Sequence, residues 1–224
     1  DVLVSSGEQV SCALVAGRLI HKGYKSRSWM GWQIPIITDS KHKYSKINQV
    51  YKSKIIKYLK SGGIPIVAGF QGINEEGRVT TLGRGGSDAS AIMISKFFKS
   101  EKCVIYTDVD GVYTADPRMV PKAKKLDVVS YDEILEMASL GAKVLQIRCV
   151  EFAHKFQMPL LVKSSYIEGS KGTLICEEDS NMEQPLDSNL ETTKYSENYN
   201  STILIMISDF NVTHFLSEIW FQLS

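Results

Sequence analysis

Apolar residues along the chain fall into short runs of two periods. Val2-Leu-Val4 is a tight apolar triple of the kind that ends a buried strand. Beyond Ser5-Ser-Gly-Glu8, residues Val10, Ala13, Leu14, Ala16 and Leu19 recur at helical spacing until Gly23, with Ser6 placed to cap that helix. Ile34-Pro-Ile-Ile37 is a short apolar run, and Ile47 to Leu59 predicts a second helix closed by Ser61-Gly62-Gly63. Ile64-Pro-Ile-Val-Ala68 is uniformly apolar, as strands buried on both faces are. After a glycine-rich segment a helix is expected to about Phe98, then a strand at Cys103-Val-Ile-Tyr106. Ser130-Tyr-Asp-Glu133 has the spacing of a capping box and opens a helix to Leu140. Gly141 interrupts it, Lys143 to Phe156 predicts a further helix, and Leu160–Val162 and Thr173–Cys176 predict strands. Strands alternating with helices argue for an α/β domain with a mostly parallel sheet over residues 1–178.

Residues 178–201 lose all periodicity and are dominated by Asn, Ser, Glu and Thr, the composition of a linker from 179 to 201. Thr202–Ile207 then predicts a strand and Phe210–Leu223 a short helix. One strand and one helix bury no core, so this tail is expected to dock, to pair with another chain or to begin a further domain. The opening at Asp1, on a strand-like run, is read as a start inside a longer protein.

Charge changes the picture only slightly. The 224 residues carry a formal charge of +1, too little to hold nucleic acid or an anionic membrane by its field. Residues 180–224 hold one base and six acids, so the body before them is mildly basic, which suits an anionic small ligand. Cys12, Cys103, Cys149 and Cys176 are far apart with no zinc spacing, which favours a reducing, cytoplasmic setting; no metal site is expected from them. No run of 18 apolar residues crosses a membrane.

Two segments concentrate chemistry. In Gly83-Arg84-Gly85-Gly86-Ser87-Asp88, glycines let the backbone approach a ligand, the following helix N-terminus favours an anion, and Arg84 can grip a carboxylate or phosphate in bidentate fashion. It is not a Walker loop, because no Gly-Lys-Ser/Thr closes it. Thr107-Asp108-Val-Asp110-Gly-Val-Tyr113-Thr114-Ala-Asp116-Pro-Arg118 gathers acids, hydroxyls and an arginine at a strand's carboxyl end, where open α/β sheets place ligands. Each segment taken alone is also compatible with an ordinary turn. Lys143, at an expected helix start, opposes the helix dipole, whereas Glu8 suits it.

Together with Ser5-Ser-Gly-Glu8 and Glu136-Met-Ala-Ser-Leu-Gly-Ala-Lys-Val-Leu145, these motifs resemble bacterial aspartate kinase over residues 1 to about 184. The resemblance implies an amino-acid-kinase αβα sandwich with a mostly parallel sheet, and residues 202–224 as a truncated ACT-like segment. It implies ATP-dependent phosphorylation of the β-carboxylate of L-aspartate, with Mg²⁺, and association of copies through the ACT-like region. By the same resemblance Glu8 and Asp88 meet the substrate ammonium, Arg84 clamps its α-carboxylate, and Gly85, Gly86 and Ser87 line that site. Thr107, Asp108, Tyr113, Arg118, Lys143 and Val144 correspond to nucleotide-contacting positions, and Asp88 and Lys143 to catalytic ones. A carboxylate acceptor is already ionised at neutral pH, so no histidine base is required.

The family's opening Lys-Phe-Gly-Gly-Thr-Ser segment has no counterpart here. Loss of such a cationic group commonly costs about 10²–10³ in rate, so the activity expected of these residues alone is low. The rival readings are a kinase for glutamate or N-acetylglutamate, and a non-catalytic nucleotide- or amino-acid-binding module.

Overall fold

In the computed structural model, which describes residues 1–139, 145–167 and 169–177, helix α1 spans Val2–His21 and takes in the apolar triple expected as a strand. Val2, Leu3 and Val4 are 66%, 84% and 58% exposed, so burial does not shape them. Local bonding does. The Ser5 N–H bonds the Asp1 carbonyl at 3.0 Å, and the Ser5 and Ser6 hydroxyls donate back to the Val2 and Leu3 carbonyls. That back-bonding lets both serines sit inside the helix, so Ser6 is not its cap; Asp1 holds that position.

The described residues divide into two compact units, Asp1–Phe98 and a second beginning at Lys99. In the first, β1 (Ser26–Trp29) lies parallel to β4 (Ile64–Val67). A separate sheet runs β3 (Ile47–Val50), β2 (Ile36–Thr38), β5 (Gln71–Ile73), β6 (Val79–Thr81), with β2 parallel to β5 and the other two pairs antiparallel. The expected helix from Ile47 is thus two elements, strand β3 and helix α2 (Ser53–Lys60). A bulge between Ile37 and Thr38 shifts the pairing so that Ile47 and Val50, three apart, both pack on the core. Spacing of three imitates a helix, which is why the sequence pattern misleads there.

The expectation for Ile64–Ala68 holds. Ile66 packs with Cys12, Ala16 and Ala68 beneath α1, while Val67 joins Trp29, Ile34, Ile36, Ile55 and Ile94 on the other side. Alternate side chains enter different clusters, so every position is apolar. Burial also pushes the Cys12 thiol up to about 11, and its Sγ donates to the Ile66 carbonyl at 3.0 Å. Helix α3 (Gly86–Phe98) closes the unit, with Ile92 and Ile94 fully buried.

In the second unit β7 (Cys103–Thr107), β9 (Leu160–Ser164), β10 (Thr173–Cys176) and β8 (Val128–Ser130) lie side by side in that order. β7–β9 and β10–β8 are parallel and β9–β10 is antiparallel, so the sheets are mixed with parallel pairs in the majority. The capping box forms as the sequence predicts. Glu133 accepts from the Ser130 N–H at 2.8 Å, and the Ser130 hydroxyl accepts from the Glu133 N–H at 3.2 Å, opening α4 (Tyr131–Ser139). The next helix, α5, spans Ile147–Phe156, so its start falls four residues later than Lys143; Leu145 is not helical and Gln146 is an extended N-cap. The linker and ACT-like expectations lie outside the described residues. Among those described, no helix is long and apolar enough to cross a membrane.

Candidate functional site

In the first unit β6 ends at Thr81, and Leu82-Gly83-Arg84-Gly85 turns the chain into α3. Gly83 and Gly85 have φ of 81° and 69°, a region L side chains rarely adopt. A Cβ on Gly83 would lie 2.7 Å from the Lys43 carbonyl oxygen, and one on Gly86 2.5 Å from the Phe70 ring. Backbone angle and space both require glycine at 83, the angle requires it at 85, and space requires it at 86. Arg84 is left exposed on the loop, Ser87 is buried, and half-buried Asp88 lies in the first turn of α3.

Two polar anchors fix the helix of Glu8 to the strands that feed this loop. The Asp1 carboxylate, 3% exposed, accepts from the Thr81 N–H and hydroxyl at 3.1 and 2.9 Å and lies 2.7 Å from His42 Nδ1. Buried Gln71 accepts from Gln9 Nε2 at 3.1 Å and donates to the Ser5 carbonyl. Glu8 itself is half-buried. Nothing in the sequence pattern singles out Asp1 or Gln71, because their bonds to Thr81 and Ser5 span more than 60 residues.

In the second unit Thr107 ends β7, and its hydroxyl donates to Asp108 Oδ1 at 3.0 Å. An antiparallel hairpin follows: Thr114 N–H bonds the Lys124 carbonyl, and Leu126 N–H the Val112 carbonyl. Asp110 ties its limbs together, accepting from the Tyr113 hydroxyl at 2.8 Å and lying 3.7 Å from Lys125 Nζ. That hydrogen bond keeps the Tyr113 phenol above its ordinary value. A shallow depression of about 320 Å³, lined by Tyr106, Lys163, Ser165, Tyr166 and Ile167 among others, opens at the carboxyl ends of β7 and β9.

Arg118 meets Asp116 through Nε and Nη2, both at 3.1 Å, with its side chain 88% exposed. This side-chain pairing, ahead of the Arg118 backbone N–H, holds the Asp116 carboxyl below the usual carboxylate range. The pair is therefore intact above that lowered value and released as pH falls through it. In a carboxyl NMR titration, Asp116 is expected to titrate lower in the wild type than in Arg118→Ala; equal midpoints would refute the pairing. So exposed a pair orients the guanidinium more than it stabilises the fold.

Residues 1–164 match the amino acid kinase family. The chain belongs to that family. The chain is 50% identical over 190 residues to an aspartate kinase of Stutzerimonas stutzeri, covering 85% of this chain and 46% of that one. It is 52% identical over 186 residues to the aspartokinase of Geobacillus stearothermophilus, covering 83% and 45%. The structure of Escherichia coli aspartokinase III in complex with aspartate and ADP matches with a TM-score of 0.72 and 33% identity, covering 80% of this chain and 41% of that one. The chain thus spans about half the length of the curated relatives it matches.

Within the chain the first unit gathers Arg84, Gly85, Gly86, Ser87 and Asp88 at one loop–helix junction. The second carries Thr107, Asp108, Tyr113 and Arg118 on one strand end and hairpin. Lys143 and Val144 lie outside the described residues. Asp110 and Asp116, within a motif the sequence singles out, are the partners that hold Tyr113 and Arg118.

Proposed function

We propose that this chain carries the kinase chemistry of an aspartate kinase: transfer of the γ-phosphoryl group of MgATP to the β-carboxylate of L-aspartate, giving 4-phospho-L-aspartate. The observation that carries this reading is the junction at α3. There an exposed arginine and a first-turn carboxylate sit on one tight, glycine-built turn. A zwitterionic amino acid needs both of its charges countered, and the two signs are offered a few residues apart. Arg84 takes the α-carboxylate; Asp88, with Glu8, takes the ammonium; Ser87 and the Gly85–Gly86 backbone complete that subsite.

The nucleotide belongs to the second unit in this reading. Thr107 and Asp108 supply a hydroxyl and a carboxylate suited to ribose, and Arg118, exposed and paired with Asp116 beside it, suits phosphate. Mg²⁺ enters with the phosphates as part of the substrate. Phosphoryl transfer demands position and positive charge more than covalent chemistry, so a set of charged and hydroxyl groups suffices. Lys143 and Val144, and association through an ACT-like tail at 202–224, are assigned by resemblance to aspartate kinases. Support comes from the relatives named aspartate kinase and from the aspartokinase III structure, whose ligands are aspartate and ADP.

The test is hydroxylamine trapping on the 224-residue protein with MgATP, offering aspartate and glutamate separately. Aspartyl hydroxamate, formed slowly and in excess of glutamyl hydroxamate, is the expected product. A preference for glutamate would overturn the substrate assignment, since one methylene alters binding by only about 1–3 kcal/mol. Nucleotide binding with no acyl phosphate would instead favour a binding module.

A further inference from the structure

In the hairpin that bears Tyr113 and Arg118, a side chain from elsewhere in the sequence stands in for one direct backbone bond. In an antiparallel ladder, residues opposite each other in a hydrogen-bonded pair exchange both N–H···O=C bonds. Val112 and Leu126 make only one of them, Leu126 N–H to the Val112 carbonyl at 2.8 Å. The second is replaced by a relay through Thr173, the first residue of β10. The Val112 N–H donates to Thr173 Oγ1 at 2.9 Å, and that hydroxyl donates in turn to the Leu126 carbonyl. Thr173 and Val112 are fully buried, so water has little access to the bridge.

Space has been kept for it. Gly111 has φ of 151°, and a Cβ there would lie 2.5 Å from Thr173 Oγ1. The hydroxyl thus reaches the rung only because residue 111 has no side chain. The rung thus keeps one direct bond of ordinary length and one relay through the hydroxyl, so Thr173 fixes how the two limbs lie against each other. It also ties both to β10, which the Leu174 N–H bonded to the Asp127 carbonyl at 2.9 Å anchors beside β8. Tyr113 follows Val112 directly, and the limb continues to Asp116 and Arg118.

We infer that Thr173 is a positioning residue for the nucleotide site: its hydroxyl sets the splay of the hairpin and so the placing of Tyr113 and Arg118. This rests on the reading that the 107–118 segment meets the nucleotide. Thr173 touches no substrate in this scheme and acts through the two backbones it bridges. Thr173→Val keeps the shape and deletes the hydroxyl, leaving a buried N–H and C=O that must go unpaired or collapse into the direct rung.

The experiment measures ADP affinity by calorimetry on the 224-residue wild type, Thr173→Val and Thr173→Ser, well below each melting temperature. Alongside it, L-aspartate affinity and amide hydrogen exchange at Val112 are measured. Thr173→Val is expected to weaken ADP at least tenfold, to leave aspartate within twofold, and to alter exchange at Val112. Thr173→Ser, which keeps the hydroxyl, is expected to restore ADP to within about twofold. ADP affinity unchanged in a folded Thr173→Val protein would overturn the proposal and leave the kinase reading intact. Absence of ADP binding by the wild type would remove that reading and this proposal together. If Thr173→Val does not fold, Gly111→Ala decides, because it crowds the hydroxyl from the opposite side. A tenfold loss of ADP there supports the positioning role, and unaltered ADP affinity overturns it.

Discussion

Arg84→Ala is expected to weaken L-aspartate binding at least about 30-fold while leaving the melting temperature within about 1 °C. Truncating one partner of a hydrogen-bonded charge pair costs about 2–5 kcal/mol, chiefly because the other charge is left uncompensated. Little stability should follow, because Arg84 is exposed and its turn is set by the glycines around it, not by its side chain. Arg84→Lys keeps the charge but loses the planar fork, so it should fall between the two. Calorimetric titration with aspartate, or the aspartate dependence of hydroxamate formation, reads the effect. An affinity unchanged in Arg84→Ala would remove the arginine clamp, and with it the strongest reason to place an α-carboxylate at this junction.

The largest loss of stability is expected from Gly172→Ala. Gly172 immediately precedes β10, has φ of 78°, and its missing Cβ would lie 2.2 Å from the Val162 carbonyl oxygen and 2.8 Å from Lys163 Cγ. The carbonyl belongs to β9, a strand paired on both sides, so it has little freedom to move. Gly169 is the matched control. Its φ is 76°, but among the described residues nothing lies within 4 Å of the position a Cβ would take. Left-handed backbone alone costs roughly 1–2 kcal/mol for an alanine. Gly172→Ala adds a collision with backbone and is expected to cost about 3–5 kcal/mol, or about 6–20 °C in a chain of this size. Urea or thermal unfolding of both variants measures the difference. Equal shifts would mean that β9 yields and that the close approach contributes nothing.

What could be foreseen from the sequence divides along physical lines. Elements whose cause is local or uniform were legible: the strand at Ile64, apolar throughout because two clusters claim its alternate side chains, and the capping box at Ser130 and Glu133. The glycine-rich turn was legible because its backbone angles demand glycine. Ile47–Val50 misled because a bulge turns a strand's spacing of two into three, and Val2–Val4 because an apolar triple with no burial carries no period. Strands β1, β5 and β6 escaped notice for a different reason. They are three or four residues long, and their buried positions include Ser26, Gln71, Thr80 and Thr81, polar groups that only their distant partners satisfy. The chemistry followed the same rule. Arg84 and Asp88 stood out as a local motif, whereas Thr173 meets the hairpin from more than 40 residues away and has no local signature.

The strand order of the second unit also sets a timetable for synthesis. β7 finds its parallel neighbour only when β9 exists, with Cys103 opposite Leu160. At about 5–20 residues per second, the ribosome leaves Cys103 and Ile105 without their ladder for roughly 3–11 s after they are made. Meanwhile α1, β1, β4 and α3 have all been synthesised, so the first unit can close while the second still shows an open apolar edge. For those seconds the nascent chain is half folded and half adhesive, and its yield in a crowded cell depends on how quickly that edge is shielded.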